Sequence, residues 1–240
     1  MTVLLFDIDG TLIDAAGAGG AALLAALWHE FNVSDPRPVQ LHGRTDAGIV
    51  RELLLNHGVA ATAENIQRIF SAYYKLLPAE LVERAGTVLP GVQALLERLM
   101  TKPDCWVGLL TGNMPLSARL KLEHYGLWHY FRAGTYGDQA LNRPELRDAA
   151  LQMAGNMVGQ PITGERVVVI GDTPLDIQLA NAMQSKCLAV CTGGFDQLAL
   201  RQAGATWVVP DLANTDEILQ LLGSCIECKH PMKLANGTGE

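Results

Sequence analysis

The sequence predicts a doubly wound α/β fold, a parallel sheet covered by helices on both faces with a helical subdomain inserted after the first strand. Three observations lead there. Runs such as VLLF (3–6) and VVVI (167–170) are continuously apolar rather than alternating, the pattern of strands buried on both faces. Helical patterns stand between these runs, and strand–helix alternation builds parallel sheets. From about Ala15 to about Thr87 the alternation stops, and the chain offers three helical stretches without a good strand.

The expected strands are VLLF (3–6), WVGLLT (106–111), RVVVIG (166–171), CLAVCT (187–192) and TWVVP (206–210), with a weaker one in YFRAGTYG (130–137). GVQALLERLM (91–100) follows a Pro-Gly turn and reads as a helix. PLSARLKLEHYG (115–126) and PELRDAALQMAG (144–155) open on Pro and close on Gly, the asymmetry of helix ends. TPLDIQLANAM (173–183) opens with Thr as N-cap and Pro at the first helical position. The helices without intervening strands are expected at 18–31, 45–57 and 63–82. These readings divide the chain into a Rossmann-like core (1–14 and 85–222), a helical cap (15–84) and a tail from Gly223 to Glu240 with little periodicity, expected to be disordered. AAGAGG (15–20) reads as the flexible entry to the cap. It is no phosphate loop, because the Gly-Lys-Ser/Thr ending is absent.

Composition narrows the function. The 240 residues carry 49% hydrophobic content, enough for a sizeable core. The net charge is −7, and no basic run marks a nucleic-acid partner. No apolar stretch reaches the roughly 18 residues of a membrane span, and the run Val3–Phe6 is too short for a signal peptide. Five cysteines, an odd number, fit a reducing, cytoplasmic setting better than a disulfide framework.

In doubly wound sheets ligands bind beyond the carboxyl ends of the strands, so the residues left there matter most. The first strand leaves Asp7 and Asp9. The second leaves Thr111, Gly112 and Asn113. RVVVIG leaves Asp172 and then Asp176, and Arg143 stands before the helix that opens on Pro144. So many carboxylates cannot stay ionised together without a cation, and oxygen ligands of this kind suit Mg²⁺. A carboxylate such as Asp7 can then attack a phosphoryl group. Thr111 offers a hydroxyl to a phosphate oxygen, and Gly112 and Asn113 offer backbone N–H groups at a helix start. Arg143 can neutralise phosphoryl charge, and Asp9 can exchange a proton with the leaving oxygen and with water.

DIDGT, LLTGN, an Arg before a helix, and GDTPLD resemble, in order and spacing, the four motifs of the haloacid-dehalogenase-like hydrolase superfamily. The insertion resembles the cap of its phosphoglycolate phosphatase-like branch. The resemblance implies a nucleophile at Asp7, an acid/base at Asp9 and phosphate ligands at Thr111 and Arg143. It places Mg²⁺ on Asp7, the Asp9 carbonyl and Asp172, with Asp176 in support. The second acid, Asp9, points to phosphoryl transfer rather than carbon–halogen cleavage. The third motif is more often a Lys. Here Arg143 is the best match, with Arg132 and Lys121 as rivals. The expected activity is Mg²⁺-dependent hydrolysis of a small phosphorylated metabolite through an aspartyl-phosphate. The alternatives are a phosphomutase of the same superfamily and a phospho-aspartate signalling module.

Two further features stand outside these motifs. Arg44, in LHGRTDAGIV (41–50), stands before Thr45, a plausible N-cap, and is a candidate reader of a substrate carboxylate; its competing role is an ion pair with an acid such as Asp46. Cys225 and Cys228 form a CxxC without a second pair, weak evidence for zinc. His29, His57 and His124 show no metal-ligand spacing.

Overall fold

A computed structural model describes residues 1–37 and 39–226. The strands are β1 (Thr2–Phe6), β2 (Ile13–Asp14), β3 (Thr87–Val88), β4 (Cys105–Leu110), β5 (Gly134–Thr135), β6 (Val167–Gly171), β7 (Lys186–Val190) and β8 (Trp207–Val209). The helices are α1 (Ala18–Phe31), α2 (Asp46–Asn56), α3 (Ala63–Arg84), α4 (Val92–Met100), α5 (Pro115–His124), α6 (Arg147–Val158), α7 (Pro174–Ala182), α8 (Gln197–Gln202) and α9 (Thr215–Ile226).

Six strands form one parallel sheet in the order β5-β4-β1-β6-β7-β8. β1 is central, with Leu4 opposite Val107 on one side and Val168 on the other. The chain builds outward from β1 through β4 to β5, then returns to lay β6 on the opposite side. The order reverses beside β1, so the crevice for a ligand opens at the end of β1.

Successive side chains of a strand point to opposite faces, and both faces are covered. Leu4, Phe6, Val168 and Ile170 join a cluster with α1 to α5 and α9. Val3, Leu5, Val167 and Val169 join a second cluster with α6, α7 and α8. This explains why the strand sequences are apolar throughout. Each fully buried aliphatic side chain contributes about 1.5–3 kcal/mol, and Leu5→Ala would cost about 2–5 kcal/mol.

Between β2 and β3 the described residues form only the helices α1, α2 and α3. These helices bury Leu27, Leu53, Ile69, Tyr73 and Leu77 in the same continuous cluster as Leu4 and Phe6. β2 and β3 pair antiparallel, Ile13 with Val88 and Asp14 with Thr87, so the chain enters and leaves the helices through one short ribbon. This ribbon was not foreseen, because two-residue strands carry no periodicity. β5 shrinks to two residues of YFRAGTYG. Of AAGAGG, Ala18 to Gly20 belong to the first turn of α1, and Gly17 is its left-handed N-cap.

The expected unstructured tail from Gly223 is corrected in part. α9 runs through Gly223 to Ile226, anchored by buried Ile218 and Leu222 and opened by Asp216 and Glu217, acids that suit a helix N-terminus. The side chain of Cys225 and all of Cys228 lie outside the described residues. Among the described residues no helix is long and apolar enough to cross a membrane.

Candidate active site

Asp7 extends the end of β1: its N–H donates to the Ile170 carbonyl at 2.9 Å. The chain then turns sharply. The Ile8 carbonyl accepts from Leu12 at 2.9 Å and Ile13 at 3.1 Å, and Gly10 sits at φ +80°. A side chain at Gly10 would also be blocked, since its Cβ would lie 2.5 Å from Asp172 Oδ2. A Cβ on Gly193 would strike the same carboxylate.

The end of β6 supplies the other acids. Asp172 accepts from Thr11 Oγ1 at 2.9 Å through one oxygen, while its buried Oδ2 has no hydrogen-bond partner. Asp176 lies in the first turn of α7, where it forms a reciprocal cap with Thr173. Its Oδ2 accepts from the Thr173 N–H at 3.1 Å and hydroxyl at 2.7 Å. Its Oδ1 accepts from Arg143 Nη2 at 2.5 Å.

Arg143 is buried. Its Nη2 also donates to the Leu110 carbonyl at 2.9 Å and lies 3.0 Å from Asp7 Oδ1. The short turn Arg143–Leu146 that carries it is held by a reciprocal Asn142–Glu145 cap. Burial opposes its charge, but Asp176 and Asp7 more than offset that and raise its pKa. Of its two proposed rivals, Arg132 is exposed. Lys121 does enter the site, but beside Asp9 rather than Asp7.

Burial pushes Asp7 up to about 6, against the lowering effect of Arg143 and with Asp176 and Asp9 adding to the rise. Burial, Asp176 and Asp7 raise Asp172 as well. One guanidinium therefore faces three buried carboxylates, Asp7, Asp172 and Asp176, which offer oxygens within 4.8 Å of one another. The orphaned Asp172 oxygen and this deficit of positive charge suit a hard divalent cation such as Mg²⁺. Asp7 and Asp172 have oxygens to give. Asp176 already has both engaged by protein donors, which fits a supporting position.

Asp9 sits across the pocket with its side chain 42% exposed. Its Oδ2 accepts from Lys121 Nζ at 2.6 Å and Asn113 Nδ2 at 2.8 Å. Desolvation would raise its pKa, but the Lys121 charge and these hydrogen bonds outweigh it and leave Asp9 below the usual carboxylate value. Asn113 bridges the cluster: its Nδ2 also reaches Thr111 Oγ1 at 2.9 Å, and its Oδ1 accepts from Lys121 at 2.7 Å.

Two expectations for the end of β4 change. α5 begins at Pro115, so Gly112 and Asn113 precede the helix, and the Asn113 N–H turns back to Thr111 Oγ1 at 3.3 Å. Thr111 Oγ1 thus accepts twice from Asn113 and keeps its own O–H to donate. Gly112 is required sterically, because any Cβ there would strike the Arg44 carbonyl.

Arg44 lines the pocket, but its guanidinium pairs with Glu52 at 2.6 Å and donates to the Gln40 carbonyl at 3.3 Å. The anticipated competing role is therefore realised with Glu52, not Asp46. Thr45 does cap α2, accepting from the Gly48 N–H at 3.2 Å. The Asp46 N–H donates to the Gly112 carbonyl at 2.7 Å rather than into the pocket. Asp46 itself accepts from the Met114 N–H at 2.9 Å and Ser117 Oγ at 3.0 Å, tying α2 to the start of α5. That tie was missed in the sequence, where Asp46 looks like any first-turn acid.

A cavity of about 430 Å³ joins these groups, lined by Asp7, Asp9, Asn113, Lys121 and Arg143 and, from the inserted helices, by Tyr73.

Comparison with known proteins agrees with the geometry. The profile of the haloacid dehalogenase-like hydrolase family matches residues 4–181. The phosphoglycolate phosphatase of Synechococcus elongatus is 28% identical over 211 residues, covering 87% of this chain and 92% of that protein. A probable phosphatase, IndB of Dickeya dadantii, is 25% identical and covers 80% of this chain and 81% of its own. A hydrolase from Pseudomonas syringae superposes with a TM-score of 0.69 at 25% identity, covering 92% of this chain and 99% of that one. The β-phosphoglucomutase of Clostridium difficile superposes at 0.70 with 15% identity over 94% of this chain and 97% of its own, a likeness of fold alone. With the profile spanning all of the site's acids, the chain belongs to the haloacid dehalogenase-like hydrolase family.

Proposed function

We propose that this protein is a Mg²⁺-dependent phosphatase of small phosphate monoesters. The observation that carries the reading is the division of labour between Asp7 and Asp9. Asp7 is buried against Arg143 and two further acids, while Asp9 is half-exposed at the pocket and tied to Lys121. Phosphoryl transfer to a carboxylate needs these two environments: one acid fixed for attack, the other reachable by the leaving group and by water.

Asp7 and Asp172 would hold Mg²⁺, with Asp176 supporting them and the Asp9 carbonyl completing the protein's share. When bound, the ion neutralises phosphoryl charge and lets the carboxylates stay ionised. An Asp7 oxygen attacks phosphorus as the ester P–O bond breaks, giving an aspartyl-phosphate and an alcohol; Asp9, ionised beside Lys121 in the free protein, takes up the proton of the phosphate monoanion as substrate binds and passes it to the leaving oxygen. Water then attacks phosphorus, Asp9 takes its proton back, and Asp7 and inorganic phosphate are released. Arg143 keeps Asp7 oriented, and the Thr111 hydroxyl donates to a phosphoryl oxygen. Phosphoglycolate is a candidate substrate because relatives that span most of this chain carry that activity in their names. A panel of phosphorylated metabolites assayed with Mg²⁺ and with EDTA tests the reading. Turnover should vanish on chelation and return with Mg²⁺; full turnover after exhaustive chelation would refute the metal's part.

A further inference from the structure

We infer that Lys121 is a specificity residue, whose ammonium receives an anionic group carried one or two carbons from the leaving oxygen of the substrate. The inference deepens the phosphatase reading and rests on it for the identity of that oxygen.

Lys121 stands on α5, among the core helices, with its side chain 5% exposed. An ammonium has three donors. Asp9 Oδ2 at 2.6 Å and Asn113 Oδ1 at 2.7 Å take two, and among the described residues no third acceptor is recorded. The space beside Nζ is kept open by a missing side chain. A Cβ on Gly19 would lie 3.1 Å from Nζ, closer than all but a few real contacts, and both residues line the same cavity.

The surroundings favour an anion there. Gly19 lies in the first turn of the 14-residue helix α1, where backbone N–H groups lack intrahelical acceptors. That turn contains no acidic residue, and its N-cap, Gly17, has no side chain to cap with. Gly17 and Gly20 line the cavity too. Asp9 is the acid paired with the ammonium, and the neighbouring Asp46 directs one oxygen, Oδ2, to Met114 and Ser117. Arg44, the obvious cation of the inserted helices, is held by Glu52.

Distance sets the chemical class. Asp9 Oδ2 is taken by Lys121 and Asn113, so a leaving oxygen bonds Oδ1, and at about 2.7 Å from it lies within about 7 Å of Nζ. A carboxylate one or two carbons from that oxygen spans the gap. A longer chain would carry its anion past Lys121.

Calorimetry on the Mg²⁺-loaded protein tests this without turnover. The probes are 3-phosphonopropionate, which carries a carboxylate two carbons from phosphorus, and propylphosphonate, which does not. The wild type should prefer the carboxylated ligand. Lys121→Gln should lower that preference by about 30-fold or more, the smaller end of what losing one partner of a buried charge pair costs. Gly19→Ala, which keeps the ammonium but fills the space beside it, should lower it as well, and it carries the test if Lys121→Gln does not fold. No preference in the wild type, an equal loss for both ligands in Lys121→Gln, or a preference abolished by Arg44→Ala but kept by Lys121→Gln would each overturn the proposal. Failure of the protein to hydrolyse any monoester would count against the phosphatase reading instead and leave these binding ratios measurable.

Discussion

Two cations meet two aspartates in this pocket, and their settings differ. Arg143 and Asp7 are both buried, side chains 1% and 6% exposed, and the same guanidinium nitrogen also touches Asp176 and the Leu110 carbonyl. Lys121 is almost as buried, at 5%, yet its partner Asp9 is 42% exposed. The first pair lies where the strands end, away from water, and every contact fixes an orientation. The second lies on the border with the inserted helices, where solvent and substrate arrive. Position, more than residue type, separates an acid suited to attack from an acid suited to carrying protons.

The largest expected effect breaks the first pair at its reacting atom. Asp7→Asn should lower hydrolysis of p-nitrophenyl phosphate by about 10⁴-fold or more, with an unchanged circular dichroism spectrum. Substantial activity in folded protein would remove Asp7 from its role.

Next comes a contrast in stability. Arg143→Met leaves Asp7 and Asp176 buried without their cation and should cost about 3–5 kcal/mol. For a chain of this size that is a fall in Tm of about 6–20 °C. Lys121→Met leaves one acid that water can reach and one buried acceptor, Asn113 Oδ1, without its donor, so it should cost less, about 1–2 kcal/mol. Similar costs for the two would erase the distinction between the pairs.

A smaller effect sharpens the same comparison through pH. Burial raises Asp7 from 3.8 to about 6, so between about pH 4 and pH 6 the native state binds more protons than the unfolded one. Stability in EDTA should therefore fall as pH rises through that window. Mg²⁺ should flatten the slope by keeping the carboxylates ionised in the native state. Thermal melts across the window, with and without Mg²⁺, read both slopes, and an upward slope in EDTA would contradict the assigned cause.

The sheet and the Asp7 cluster were legible in the sequence for a shared reason. β1 and β6 are buried on both faces, so their apolar runs are unbroken, and the acids that end them stand out against those runs. Thr111 and Arg143 follow from the same rule about strand ends. The Asp9 side of the pocket was less legible, because it depends on which helix face meets which. Ser117, Ala118 and Lys121 share a buried face of α5, but two of the three are polar and leave no hydrophobic stripe. The tie from Asp46 to Met114 spans 68 residues and has no local signature. Arg44 was found as a pocket residue and misjudged in its partner, since Glu52 lies two helical turns along α2 and Asp46 looked nearer.

Whether Asp7 takes the phosphoryl group can be read by chemical trapping. The enzyme is quenched in acid during turnover with Mg²⁺ and p-nitrophenyl phosphate, reduced with sodium borohydride and mapped by peptide mass spectrometry. An acyl phosphate at Asp7 is reduced to homoserine, so homoserine is expected at residue 7 in turning-over enzyme and none in enzyme without substrate. Turnover with residue 7 unmodified and another carboxylate reduced in its place would contradict it.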